Sequence, residues 1–195
     1  MRAAHKMCPA IRAALRLLCG DDSAAQIAEF AVSLPLLVVF VVGIFDFTNA
    51  ISLKQKLMSA AREAARVAAS DPATDLSASV PVSVSDAQWV VDRYLISEKI
   101  DDCGLSAVTP TTSGHLQWVS ASTGNGCPGN GISLTVDRGC KSQITTGATT
   151  VNLIETCITL SYDYNWEFNR VIGLLSGNAN GPGTLTAKAA AFDEN

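Results

Sequence analysis

The residues that do bond-breaking chemistry are sparse in this sequence. There are two histidines, His5 near the start and His115 in an expected strand. No HExxH, GxSxG, phosphate-binding loop or dinucleotide fingerprint accompanies them. His115 has no nucleophile or orienting carboxylate in a recognisable pattern, and reads as structural or exposed. The Asp101-Asp102 pair falls at an expected helix end and reads as solvated. Tyr162, Tyr164 and Trp166 alternate on one strand face and read as packing residues. The chain is therefore expected to be no enzyme and to carry no cofactor.

Two other kinds of residue carry chemical information. The first is cysteine, present six times. Cys8 and Cys19 precede a long apolar stretch, whereas Cys103, Cys127, Cys140 and Cys157 follow it. An even number in the distal part suits two disulfides formed in an oxidising compartment. Four cysteines allow three pairings, and spacing does not choose among them. Zinc sites need close pairs such as C-x-x-C, which are absent, so no metal is expected.

The second is Glu29, which lies inside the apolar stretch. Ile27 to Phe47 is 21 residues interrupted only by Glu29 and Asp46. About 20 residues of α-helix cross a bilayer's hydrocarbon. The stretch is longer than a signal-peptide core and leads into more helix, not into a cleavage motif. A run such as VVFVVGIF is apolar on all faces, unlike a soluble core helix. A membrane span follows. A carboxylate near its start is costly. It either snorkels to the interface or pairs with a positive group on a neighbouring subunit, such as a free amine. Pro35 lies within the span, where it removes one backbone hydrogen bond and permits a kink.

The elements that must position these residues read as follows. From Thr48 the helical spacing continues through Ile51, Leu53, Leu57, Ala61, Ala64, Ala65 and Ala68 until Asp71-Pro72 stops it. A continuous helix from Ala24 to Ser70 would be roughly 70 Å long. Ser85 and Gln88 form a capping-box pattern opening a second helix. Alternating runs at His115–Ser120, Ile132–Val136, Cys157–Tyr164 and Thr184–Phe192 predict antiparallel strands, with GNGCPGNG and GNANGPG as turns. The fold class is α+β: a long N-terminal transmembrane helix, a short helix and a sheet of about four strands. Net charge is −4, and ten Lys/Arg against fourteen Asp/Glu beyond Phe47 leave the distal part mildly acidic. No basic patch is present, so no nucleic acid is expected as partner. Arg2, Lys6, Arg12 and Arg16 on one side of the span balance Lys54, Lys56, Arg62 and Arg66 on the other. Charge therefore does not orient it. The four distal cysteines place the C-terminal part outside the cytoplasm and the N-terminus inside.

The segment AAQIAEFAVSLPLL, residues 24–37, resembles the start of TadE-like proteins, the minor pseudopilins of bacterial tight-adherence (Tad, or Flp) pilus systems. Glu29-Phe30-Ala31 and Leu34-Pro35-Leu36 carry the likeness. AAREAARVAAS at 60–70 is similar to the family's post-membrane helix, and CITLSYDYNW and TLTAKAAAFDEN to its closing strands. The resemblance implies a pilin-like fold and removal of the leader by a membrane prepilin peptidase. Glu29 would then be fifth in the mature chain, which makes the Ala24–Ala25 peptide bond the processing site. Here the sequence departs from the family, whose usual residue before the cut is glycine. Glu29, Phe30 and Pro35 would serve assembly. The implied partners are other pilus subunits, the inner-membrane assembly platform, the peptidase and membrane lipid. The implied organisation is a basic cytoplasmic leader (1–24), a span (25–47), an extracytoplasmic helix (48–70) and an extracytoplasmic α+β domain (71–195). The competing reading is a single-pass anchored surface domain that binds a ligand through its Gly/Asn-rich loops.

Overall fold

The structure is a computed structural model that describes residues 22–124, 126–146, 149–167 and 183–193. The chain divides into two units, Met1–Phe45 and Asp46–Asn195. Helix α1 runs Asp22–Ser70 and contributes to both. Its last turn closes with the Ser70 hydroxyl donating to the Val67 carbonyl at 2.7 Å, and Pro72 then holds an extended φ of −65°. A 3-10 turn, Ala73–Ser77, leads to helix α2, Val82–Ser97.

The second unit is built on one buried helical face. Leu57, Ala60, Ala61, Ala64, Ala65 and Ala68 of α1 are fully buried. Their spacing of three and four residues makes one stripe, and alanine allows the partner elements to approach closely. Val84, Ala87, Val91 and Leu95 of α2 join the same core. The sheet supplies Trp118, Ile132, Leu134, Val136, Ile158, Leu160, Tyr162 and Ala187. Alternate residues on β3 and β4 therefore face the helices, and the polar residues between them face away.

Among the described residues five strands form one antiparallel sheet, in the order β1-β2-β3-β4-β5. They are β1 Thr111–Gly114, β2 Gln117–Ser122, β3 Ile132–Thr146, β4 Thr149–Asp163 and β5 Thr184–Phe192. The α+β expectation holds, with differences in detail. A fifth strand, β1, is exposed along its length and has no apolar alternation to announce it. His115 lies in the exposed turn after it, not in a strand. β3 and β4 extend well past the expected Ile132–Val136 and Cys157–Tyr164 cores. β2 pairs with β3 only from Ile132 to Asp137, and β5 with β4 only from Glu155 to Asp163. Beyond a bulge between Asp137 and Cys140, the two strands pair with each other alone, forming a hairpin arm. Tyr164 and Trp166 fall past the end of β4. Of GNGCPGNG, Gly131 takes φ 73°, and a side chain there would run into the Ser122 carbonyl oxygen. Most of GNANGPG lies outside the described residues.

The start of α2 is a correction. The Ser85–Gln88 capping box does not form. The helix begins three residues earlier, after Pro81, which offers no capping side chain. The cap comes from outside, where the Asp75 carboxylate accepts the Ser83 N–H at 3.0 Å. Ser85 instead donates back to the Pro81 carbonyl at 3.3 Å. Gln88 turns into the core, donates to the Leu105 and Val108 carbonyls at 2.6 and 2.8 Å, and accepts from Ser120 at 2.9 Å.

Candidate functional site: the uncovered helix and its clasp

The first half of α1 is apolar and uncovered. Within the described chain no side chain from Gln26 to Val38 is buried, and Phe30 is 63% exposed. The helix is long and apolar enough to cross a membrane. So large an apolar surface in water would drive association, which makes this face a place for lipid or for other helices. Glu29 is exposed on it and is the one acidic or basic residue between Gln26 and Phe45. Pro35 sits inside a stretch assigned helical throughout, and it leaves the Ala31 carbonyl without its amide. Nearby, the Ser33 hydroxyl donates to the Phe30 carbonyl at 3.2 Å. Ala24 and Ala25 lie in the described part of α1.

Asp46 opens the second unit, and it is 4% exposed. The Tyr164 hydroxyl donates to its carboxylate at 2.6 Å and lies 3.3 Å from its backbone carbonyl. Trp166 packs edge-on against Tyr164, with ring centroids 5.0 Å apart. Burial first, then the hydrogen bond to Asp46 and its charge, push the Tyr164 hydroxyl well above the ordinary tyrosine pKa. The phenol therefore keeps its proton, and with it the donor role, to higher pH than an ordinary tyrosine does. Sequence reasoning took Asp46 only as an interruption of the apolar stretch and Tyr164 only as a packing residue. The partners are 118 residues apart, and no local pattern joins them.

The four distal cysteines pair in sequence order. Cys103–Cys127 joins the segment after α2 to the loop before β3, with Cα atoms 5.6 Å apart. Cys140–Cys157 crosses β3 and β4 at the bulge, with Cα atoms 6.0 Å apart. Both separations suit a disulfide. Asp101 and Glu155 approach these sulfurs closely enough to resemble metal clusters. The sulfurs are bonded to each other, so they are not thiolate ligands. Cys8 and Cys19 lie outside the described residues.

The Asp101-Asp102 pair is not simply solvated. Asp92 of α2, 3% exposed, has its pKa raised by burial first, and then by hydrogen bonding to Asp102 and that residue's charge. The contact joins α2 to the segment that carries Cys103.

Residues 24–66 match the family model described as TadE-like protein. The matched stretch contains Ala24, Ala25, Glu29, Phe30 and Pro35, together with Asp46 and part of the buried alanine face. No curated protein and no solved structure matches the chain.

Proposed function

We propose that this chain is a non-catalytic minor pseudopilin, a structural and assembly subunit of a Tad-type (Flp) pilus or related secretion machine. One observation carries the reading: an uncovered apolar helix with a single carboxylate, Glu29, inside the stretch that matches the TadE-like model. Within lipid, helices gain nothing from hydrophobic burial and associate through packing and polar pairing. In this reading the leader is cut between Ala24 and Ala25 on the cytoplasmic side of the inner membrane. Glu29 then lies one helical turn from the new amine. Across a subunit boundary, Glu29 of one copy and the amine of another form a charge-assisted pair that sets their stagger. Phe30 and Pro35 shape the same face. The C-terminal domain, with its two disulfides, stands on the oxidising side. The membrane peptidase, the other pilus subunits and the assembly platform are the partners.

The test is Glu29→Ala. The variant is expected to insert in the membrane at wild-type levels and to abolish pilus assembly, scored by surface pili. Normal piliation in that variant would falsify the role given to Glu29. Glu29→Asp, which keeps the charge on a shorter arm, is expected to restore assembly in part.

A further inference from the structure

The apolar face of α1 does not stop at Asp46. In the second unit Phe47 is 60% exposed, Ile51 is 43% exposed, and the exposed Lys54 follows. Spacings of four and three residues put these three side chains on one stripe of the helix. The domain leaves the two apolar side chains uncovered, and the stripe ends in an ammonium about 12 Å beyond Asp46 along the axis. An apolar stripe closed by a lysine suits a helix leaving a bilayer. The lysine stem lies along lipid and its ammonium reaches the headgroups.

Asp46 is turned the other way. It is buried under the Tyr164 hydroxyl, so the carboxylate that interrupts the apolar run meets the domain and not lipid. The same bond fixes the level of an aromatic pair. Tyr164 is held within one hydrogen bond of Asp46, and the Trp166 ring centre lies 5.0 Å from that of Tyr164. Asp46 follows Phe45, the last residue of the first unit, by one peptide bond. Both aromatic residues are only partly buried. Each interfacial layer of a bilayer is roughly 5–8 Å deep. A tyrosine and a tryptophan tied to the end of the apolar run reach that layer, where rings with one apolar and one polar end are most favourable.

We propose that Phe47, Ile51, Lys54, Tyr164 and Trp166 form a lipid-binding footprint in the headgroup layer on the domain's side of the membrane. The domain is then seated on the bilayer and does not stand off it on a bare helix. Phe47 and Ile51 lie against the upper acyl chains, Lys54 meets lipid phosphate, and the Tyr164–Trp166 pair occupies the layer between. Lipid is the occupant because the stripe continues, in sequence, a helix long and apolar enough to cross a membrane, and because a cation closes it. The inference rests on reading that helix as a membrane span. It is independent of leader removal and of the role given to Glu29.

The experiment is tryptophan quenching with the full chain in phosphatidylcholine–phosphatidylglycerol vesicles. The tryptophans are Trp89, Trp118 and Trp166. Trp89→Phe removes the exposed one, and the buried Trp118 stays as a shielded constant. Trp166→Phe on that background supplies the subtraction and keeps a ring against Tyr164. Two probes are added to the background lacking Trp89 and Trp166. They are Ile51→Trp in the footprint and Leu37→Trp in the span, both at exposed positions outside the core. The quenchers are lipid brominated just below the headgroup, lipid brominated near the chain ends, and aqueous acrylamide. Trp166 and the Ile51→Trp probe are expected to lose most emission to the shallow bromine and little to acrylamide. The Leu37→Trp probe is expected to lose most to the deep bromine. If acrylamide quenches Trp166 and neither lipid does, while Leu37→Trp responds to deep bromine, the span stands and the footprint is overturned. If neither lipid nor acrylamide reaches Trp166 or the Ile51→Trp probe, polypeptide covers this face, and the footprint is likewise overturned. If Leu37→Trp responds to no lipid, the span reading fails and the footprint falls with it.

Discussion

Two side chains carry consequences that a sequence scan by residue type would not assign them. Tyr164 holds the buried Asp46 carboxylate at 2.6 Å. A hydrogen bond to a charged group contributes roughly 1.5–3 kcal/mol, and its loss leaves the carboxylate short of a donor. Tyr164→Phe keeps the ring that Trp166 packs on and removes only the hydroxyl. A loss of about 1–2 kcal/mol is expected on that basis, read as a lower urea midpoint for the full chain in micelles. An unchanged midpoint would show that the clasp adds nothing. Asp92 gives a pH dependence of opposite sign to that of an ion-paired carboxylate. Its folded pKa is raised, so the folded state keeps the proton after the unfolded chain, with its ordinary value of 3.8, has lost it. Its contribution is fully present below that value and is lost as pH rises through the raised one. Asp71 shifts in the same direction and adds to the decline. Thermal unfolding measured from about pH 4 to about pH 7 should show stability falling across the window. Asp92→Asn should flatten part of that fall. A decline of equal depth in the variant would remove Asp92 as its source.

Elements were legible where a period met a core. The stripe Ile51, Leu53, Leu57, Ala61, Ala64, Ala65 and Ala68 reads as one helical face, and it is buried from Leu57 onward, whereas Leu53 is half-buried and Ile51 exposed. Replacing Ala64 with leucine should overpack it and cost about 1–3 kcal/mol, seen in the same urea titration. An exposed control such as Arg62→Leu should be close to neutral. The β3–β4 arm was illegible for the opposite reason. Over residues 141–146 and 149–154 the strands pair only with each other, so no core imposes alternation on their sequence. Gln88 misled because a capping box and a buried amide network look alike from spacing alone. Arg138, buried in the bulge of β3, was passed over because arginine by type belongs at the surface. A lone two-stranded arm is marginal in water, and Cys140–Cys157 secures this one at its base. Replacing both cysteines with alanine should cost about 3 kcal/mol by loop closure. Protease cleavage should then rise within residues 141–154 first, with β2 and β5 still protected. Uniform cleavage across the domain would mean the arm and the sheet unfold together.

At the scale of the whole molecule, leader removal, compartment and disulfide pairing are tied together by where the six cysteines lie. Cys8 and Cys19 precede Ala24, and the other four lie beyond the apolar helix in two bonds. A cut between Ala24 and Ala25 removes the first pair and leaves a chain with four sulfurs, all bonded. Denatured protein from pilus-producing cells, trapped with acid and treated with a maleimide of known mass, should therefore take up no label. After reduction it should take up four. A chain that keeps its leader with its distal domain outside should take up two before reduction and six after, provided the leader thiols stay reduced in the cytoplasm. A distal domain held in the cytoplasm should take up six without any reductant, which would overturn the orientation and with it the pseudopilin reading. Because each outcome differs in the count before reduction, one mass measurement separates processing from topology. The same sample from cells lacking the prepilin peptidase should move from the first pattern to the second. If it does not, the cut at Ala24 belongs to another enzyme, and the prepilin peptidase is not a partner of this chain.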